Sequence, residues 1–278
     1  MLRRSLLALA AFALVLALAA CGGVTDPLNP LAAAAQRSSS AGGVKMHMDA
    51  SFTAAGQSAS FSADGLFDGD QGEVTLDMGS LLGAAGGSGD ATVIVTKQDG
   101  KPVLYVKLPQ LATFLPGGKE WMKVDVEQAI KDLNVGGSAQ DMFGAAGQSP
   151  ADVLKLLEKV GTVTEVGDET VDGAATTHYH ATVDIEQALE NAGAPSQALA
   201  AVKQSGIETQ VPVDVWIGKD DGYVHRVKVV YNTTANGQSI DGEFTMTLSD
   251  WGSDVSIGVP SDDQVLDATS LLAKLHHG

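Results

Sequence analysis

The stretch from Val44 to Phe67 alternates apolar and polar side chains with a period of two, a spacing that places alternate residues on opposite faces of a β-strand. In its first half the apolar members are Val44, Met46, Met48, Ala50 and Phe52. After a turn signal at Gly56, the apolar members are Ala59, Phe61, Ala63, Gly65 and Phe67. The pattern predicts an antiparallel hairpin with one apolar face and one face rich in hydroxyl groups.

Further segments have strand-like composition and are separated by turn signals such as Asp99-Gly100 and Asn236-Gly237. The predicted strands are Glu73–Met78, Ala91–Gln98, Pro102–Leu108, Glu120–Val124, Ala174–Val183, Glu208–Ile217, Tyr223–Thr233 and Gly242–Asp250. A sheet of this many strands twists and tends to curl.

Short helices are predicted beside and between the strands. Asn29 and Pro30 have the residue types of an N-cap and a first helical position, and Gly42-Gly43 would end that helix. Ser149-Pro150 would begin another, with Val153, Leu154, Leu157 and Val160 as its apolar stripe. Two similar runs, VDVEQAI at 124–130 and VDIEQAL at 183–189, have the Asp-to-Gln spacing of a capping box. The elements together predict an α+β fold in which helices on one side of a curled antiparallel sheet enclose a volume.

The N-terminus has the pattern of an export signal. Arg3 and Arg4 precede an uncharged run from Ser5 to Ala20, which is short for a membrane-spanning helix. The lone cysteine follows as Leu18-Ala19-Ala20-Cys21, which resembles the lipobox of bacterial lipoproteins. The resemblance implies a signal peptide at 1–20, lipidation of Cys21 and a tether at 21–29. The alternative is an ordinary signal peptide whose cysteine is incidental.

Charge and motifs exclude several classes of function. Acidic residues outnumber basic ones by 34 to 17, and a surface of net charge −17 repels the phosphates of nucleic acids. The chain contains no G-x-S-x-G and no S-x-x-K motif, and lipidation would leave no free thiol. We therefore expect neither enzymatic activity nor a cofactor.

The histidines raise the question of a metal site. His178 and His180 point to one face of a predicted strand and His225 lies on another, so three imidazoles could bind zinc. The alternative is a polar outer face, with Tyr179, Ala181 and Val183 directed inward. The alternation favours the polar face, so no metal site is predicted.

The candidate site residues are apolar side chains that share a face of their strand or helix. They are Met46, Met48, Phe52, Phe61, Phe67, Val153, Leu154, Leu157, Val213, Val215, Ile217, Phe244, Met246 and Leu248. Methionine adapts its shape to irregular partners. Both an ordinary core and the lining of a cavity are consistent with this set.

Four segments of the chain carry a resemblance to a known family. They are LYVKLP at 104–109, GGKEWMKVD at 117–125, the run from QSPADVLKLL to HYHATVD at 148–184, and VPVDVWIGKDDGYVHRVKVVY at 211–231. These segments resemble the LppX/LprG family of mycobacterial-type envelope lipoproteins. The resemblance extends from about Leu31 to about Thr269 and includes the lipobox. It implies a LolA/LolB-like half-barrel at 30–270, with helices packed on the concave face over a hydrophobic cavity, and a C-terminal tail at 271–278.

Characterised relatives bind acylated lipids or glycolipids and help to move them across the envelope. The resemblance therefore implies a lipoprotein anchored at the extracytoplasmic face of the cell membrane, with such a lipid as its cargo and an envelope transporter as a further partner. The alternative is a tethered protein-binding scaffold or sensor with a closed core and no lipid cargo.

Overall fold

The computed structural model describes residues 29–54, 57–69, 71–77, 89–108, 115–125, 163–184, 209–235 and 238–269, with the single residues 110, 150, 186 and 200. In these ranges twelve strands form one open, curved sheet. The strands are β1 (Val44–Ala54), β2 (Gln57–Asp68), β3 (Gln71–Asp77), β4 (Asp90–Gln98), β5 (Lys101–Lys107), β6 (Trp121–Asp125), β7 (Val163–Val171), β8 (Ala174–Asp184), β9 (Gln210–Gly218), β10 (Val224–Ala235), β11 (Gln238–Ser249) and β12 (Val265–Asp267).

The strand order is β12-β6-β5-β4-β3-β2-β1-β11-β10-β9-β8-β7. The sheet thus consists of two meanders, β1 to β6 and β7 to β11, which are joined where β1 pairs with β11. Ten residue pairs, from Lys45 opposite Ser249 to Ala54 opposite Ile240, form this junction. Neighbouring strands are antiparallel except for β12, which is parallel to β6.

Two-residue turns close two of the hairpins. Asp99 and Gly100, between β4 and β5, have φ angles of 52° and 77°, and Asp172 and Gly173, between β7 and β8, have φ angles of 48° and 89°. Positive φ at both central positions is the requirement of a type I′ turn, whose twist matches that of the strands it connects. The turn predicted at Asp99-Gly100 is confirmed, whereas the turn predicted at Asn236-Gly237 lies outside the described residues.

Helix α1 spans Pro30–Ser39 and begins as predicted, because the Asn29 side chain accepts hydrogen bonds from the backbone N–H groups of Leu31 and Ala32 at 3.1 and 3.2 Å. It ends before Gly42-Gly43, where Ser39 and Ser40 donate their hydroxyls to carbonyls of the last turn. Two short 3₁₀ helices, Pro116–Gly118 and Asp262–Gln264, flank the β6–β12 edge. In the described part of the chain no helix has the length and hydropathy to cross a membrane.

The side chains of the sheet separate into an apolar face and a polar face. Helix α1 lies on the apolar face, where Leu31, Ala34 and Ala35 join one buried cluster with Val215 and Leu248. On the polar face, the segment between β11 and β12 crosses to the far edge of the sheet. Its residue Ile257 packs there against a small second cluster formed by Ile94, Val103, Tyr105 and Val265.

The predicted antiparallel sheet is confirmed, and two strands were missed. Strand β7 escaped prediction because three acidic residues and a bulge between Glu165 and Gly167 interrupt its alternation. Strand β12 has three residues, too few for a pattern. The helices predicted to begin at Asp125 and at Asp184, and the helix predicted at 149–161, lie largely outside the described residues, so of the predicted helical cover only α1 is described.

Candidate functional site

Eleven of the fourteen candidate residues lie on the apolar face. The registers place Met48 between Ala63 of β2 and Met246 of β11, and Val227 of β10 between Met246 and Val215. The eleven are Met46, Met48, Phe52, Phe61, Phe67, Val213, Val215, Ile217, Phe244, Met246 and Leu248. The other three, Val153, Leu154 and Leu157, lie outside the described residues.

The burial of this face decreases along β1, β2, β10 and β11. At one end, which we call the helix-covered end, Val44, Phe67, Val224 and Leu248 are buried beside α1. Towards the other end Met48, Phe61, Phe244 and Val229 are half-buried. The hairpin end, which includes residues 50–53, 58–61, 229–232 and 241–244, is the most open: Phe52 is 38% exposed and Tyr231 is 37% exposed.

The helix-covered end is sealed by close packing. The Ser38 hydroxyl accepts a hydrogen bond from the Val224 backbone N–H at 2.9 Å, which satisfies a donor that is buried beneath the helix. The Trp251 indole donates to the Val224 carbonyl at 2.9 Å, and its ring stacks on Tyr223 with ring centroids 5.6 Å apart. The Arg37 guanidinium lies over the Tyr223 ring, 5.1 Å from the centroid of that ring.

Glycines let aromatic rings lie flat on the apolar face at both ends. A Cβ on Gly65 or on Gly72 would lie 2.6 Å from the ring of Phe67, so this ring covers the backbone of both glycines. At the hairpin end a Cβ on Gly242 would lie 2.1 Å from the ring of Tyr231. Because Gly242 pairs with Phe52 on its other side, the two aromatic residues flank a position without a side chain.

The polar face carries a cluster that ties β7, β8 and β9 together. The His178 ring lies between two carboxylates, 2.9 Å from Glu169 Oε1 and 3.0 Å from Asp214 Oδ1, and stacks on Trp216 at 4.2 Å. The Trp216 indole donates to Glu169 Oε2 at 2.8 Å, and this hydrogen bond, followed by that of His178, lowers the pKa of the Glu169 carboxyl. His180 also contacts Asp214, at 2.9 Å.

The three histidines are not brought together. His178 and His180 share the polar face, as predicted, and Tyr179, Ala181 and Val183 belong to the apolar cluster. His225 instead contacts Asp221, at 2.9 Å. Among the described residues no group of three His, Cys, Asp or Glu side chains is placed to hold a metal ion.

Two shallow depressions in the described surface belong to the polar face. One, of about 330 Å³, is lined chiefly by Asp49, Ser51, Ser60, Ser62, Asp77 and Glu243. The other, of about 240 Å³, is lined by residues of β1, β2 and β3 that include Lys45, Asp64 and Glu73. Charged side chains line both depressions, which does not suit an acyl chain, so the apolar face remains the candidate site.

His47 lies between these depressions. Its Nδ1 is 2.7 Å from Asp64 Oδ1 and its Nε2 is 3.2 Å from Asp49 Oδ2. The hydrogen bond to Asp64, with a smaller contribution from Asp49, raises the pKa of the His47 imidazole above its usual value.

The chain is similar to several known proteins. An uncharacterized 31.2 kDa protein of Streptomyces griseus, from the rplA-rplJ intergenic region, is 29% identical over 262 residues, which are 88% of this chain and 81% of that protein. Among solved structures, LprF from Mycobacterium bovis has a TM-score of 0.49 at 16% identity and covers 86% of this chain and 100% of its own. LppX from Mycobacterium tuberculosis has a TM-score of 0.37 at 18% identity, and the match covers 84% of this chain and 100% of the LppX chain.

The family model described as LppX_LprAFG lipoprotein matches residues 72–257, which include β4 to β11 and all of β3 except Gln71. Because this match spans more than half of the chain, the protein belongs to the LppX_LprAFG lipoprotein family.

Proposed function

We propose that the protein is a membrane-anchored lipoprotein that binds an acylated lipid or glycolipid against the apolar face of its sheet and takes part in lipid transport across the cell envelope. One observation carries the proposal: a single continuous apolar face changes from buried at the helix-covered end to open at the hairpin end. Membership of a lipoprotein family supports it.

Binding would be driven by the transfer of acyl methylenes out of water. Each buried methylene contributes about 0.8 kcal/mol, so a chain laid along several rows of the sheet gains stabilisation without any catalytic group. The half-buried side chains Met48, Phe61 and Phe244 offer the surface that such a chain would complete. In this proposal the predicted helix at 149–161 covers the cavity, with Val153, Leu154 and Leu157 in its lining.

The anchor is a separate part of the proposal. Signal peptidase would remove residues 1–20, and the acylated Cys21 would hold the protein at the extracytoplasmic face. Residues 21–29 would be the lipidated tether, residues 30–270 the lipid-binding domain, and residues 271–278 a tail that follows it. Two acyl chains suffice for stable anchoring where one does not. Mass spectrometry of the mature N-terminal peptide tests this: we expect a diacylated or triacylated Cys21, and an unmodified cysteine would contradict it.

Native mass spectrometry tests the lipid cargo. The protein with Cys21→Ser, purified from a host that makes acylated lipids, is expected to retain bound lipid after removal of detergent. Phe244→Gln places an amide on the apolar face and should lower the bound fraction, whereas Thr245→Gln, the next residue of β11, places the same amide on the polar face and should not. A wild-type chain without lipid, or equal occupancy in both variants, would contradict the proposal.

One observation favours the alternative of a tethered scaffold or sensor with a closed core. Val215, Met246 and Leu248 are at most 1% exposed, so part of the apolar face is already filled by protein side chains. In that case the purified chain would take up no offered glycolipid and would retain one stoichiometric protein partner from the envelope. An envelope transporter recovered together with bound lipid would instead support the carrier.

A further inference from the structure

The apolar face of the sheet continues across the first meander, beyond the candidate site. The row of side chains that contains Phe67 of β2 passes through Val95 and Leu104 to Val124 of β6. Leu104 and Val124 are buried there in one cluster with Ala268, the residue that follows β12. Helix α1 packs on β9 and β10, in the other meander. The first meander therefore has an apolar surface of its own.

This surface is covered only in part by the described residues. Val93, Val95 and Met122 pack against the cluster but are half-buried, and so is Val106, which pairs with Met122. Ala268 is the member of the cluster that does not belong to a strand. A continuous apolar surface of this kind indicates a segment or a partner that packs on it.

A helix begins at this surface, where the chain leaves β12. Asp267 is its N-cap, because Asp267 Oδ1 accepts a hydrogen bond from the Thr269 N–H at 3.0 Å, and Thr269 is helical. The Ala268 N–H donates to the Lys123 carbonyl of β6 at 2.9 Å. The Thr269 hydroxyl accepts from the Asp125 N–H at 3.0 Å. These hydrogen bonds hold the first residues of the helix against the end of β6.

The C-terminal residues continue the apolar stripe that Ala268 begins. Leu271, Leu272 and Leu275 follow Ala268 at spacings of three, four and seven residues. In a helix this spacing places all four side chains on one face. Because Ala268 is buried against the sheet, the three leucines of the same face would be directed at the sheet as well.

The length of the stripe matches the width of the half-buried surface. The eight residues from Ala268 to Leu275 would form a helix of about 12 Å. Strands β4 to β6, separated by two spacings of about 4.8 Å, extend over about 10 Å. Strand β1 is the fifth strand from β6, about 24 Å away along the sheet, so the stripe ends short of the candidate site around Met48.

We infer that residues 268–275 form an amphipathic helix that docks on the apolar surface of β4 to β6 and covers this half of the face with the chain's own leucines. Residues 270–278 lie outside the described residues. In this inference the tail proposed at 271–278 belongs to the fold as far as Leu275. The docking does not depend on the proposed function, but under that function it leaves β1, β2 and β9 to β11 as the surface for a lipid.

Thiol reactivity tests the docking, since the mature chain with Cys21→Ser contains no other cysteine. In this background Leu272→Cys places a thiol in the stripe, and Ser270→Cys places one two residues earlier, on the opposite face of the helix. Each rate of reaction with a maleimide is divided by the rate for the same chain in urea. We expect Leu272→Cys to react at least about tenfold more slowly than Ser270→Cys, because a buried thiol reacts only after local opening. Equal relative rates would overturn the inference.

Deletion of residues 270–278 tests where the helix docks. In the deleted chain, a thiol at Val93→Cys in β4 should react about tenfold faster than in the full chain, because its cover is lost. A thiol at Met48→Cys, in the candidate site, should change by less than about twofold. An unchanged rate at Val93→Cys would show that the segment does not cover β4 to β6. Circular dichroism reports whether the deleted chain folds, and if it does not, the comparison of Leu272→Cys with Ser270→Cys decides.

Other occupants of this surface give different results. If a second copy of the chain covers it, the protection of Val93→Cys falls on dilution. If a lipid covers it, the protection is lost when bound lipid is extracted from the full chain. Either result overturns the inference, and protection that survives both treatments supports it. A chain that takes up no lipid but protects Leu272→Cys contradicts the proposed function and supports the docking.

Discussion

The two ends of the apolar face have the same sequence pattern but differ in how deeply their side chains are buried. At the helix-covered end, α1 and the stacked rings of Tyr223 and Trp251 close over the sheet, and Leu248 is 1% exposed. At the hairpin end the alternation of β1 continues to Phe52, yet this ring remains open to solvent. Alternation therefore decides which face a side chain occupies, whereas coverage by non-adjacent segments decides whether that side chain lies in the core or on an open surface.

The largest expected change in stability comes from substitutions that compare the two ends directly. Leu248→Ala removes a fully buried side chain and should lower the free energy of unfolding by about 2–5 kcal/mol, since it leaves a cavity. Phe52→Ala deletes a larger side chain from the open end and should cost less than about 1 kcal/mol. Urea denaturation measures both, and a comparable loss in the two variants would break the distinction between a closed end and an open end.

The hydrogen bond beneath α1 should have the next largest effect. Ser38→Ala removes the acceptor of the Val224 N–H, and leaving this donor buried without a partner should cost about 1–3 kcal/mol. The matched control is Ser40→Ala. Ser40 is an exposed residue at the end of the same helix, so this substitution should lower the free energy of unfolding by only about a few tenths of a kcal/mol. If Ser38→Ala proves as mild as its control, the helix does not seal this end as described.

The cap of α1 provides a smaller test of the same closed end. Asn29→Ala removes the acceptor for two backbone N–H groups and should lower stability by about 1 kcal/mol, while Asn29→Asp, which keeps an acceptor, should lower it little. Hydrogen exchange of the first turn of α1 should rise in Asn29→Ala and leave the strands at the hairpin end unaffected. Equal acceleration at both ends would mean that the cover and the open end unfold as one unit.

The polar face should show the smallest effect. The pKa of His47 is raised by Asp64 and Asp49, so its stabilisation is fully present below pH 6.5, the ordinary value for histidine, and is lost as the pH rises through the raised value. Because the side chains are about half or more exposed, the loss should be at most a few tenths of a kcal/mol. In His47→Gln the free energy of unfolding should depend less on pH over that range. If the pH dependence is the same as in the wild type, His47 is not its cause.

Much of the fold follows from local patterns. The hairpin of β1 and β2, the turn at Asp99-Gly100 and the cap at Asn29 were predicted because each depends on neighbouring residues only. Strand β7 has an overlooked local signal: Asp172-Gly173 is a hairpin turn signal, and a turn that precedes β8 requires a partner strand before it. Strand β12 has no such signal, because it is held by parallel pairing with β6, far away in the sequence.

The candidate site was predicted in part. Extending the alternation of β10 from Val227 through Val229 would have found Tyr231, which the candidate set omits. No pattern in the sequence predicts that the Tyr231 ring covers Gly242, since the two belong to paired strands whose register is known only from the fold. The same holds for the stack of Tyr223 and Trp251.

The two-faced antiparallel sheet follows from the amino-acid sequence alone, because successive side chains of a strand point to opposite sides whatever surrounds them. The pairing of β1 with β11, the covering of one end by α1, and the exposure of Phe52 and Tyr231 at the other end depend on the packing of the whole chain. The reason is physical: alternation is fixed by the local geometry of the backbone, whereas burial depends on which distant segments pack against a face.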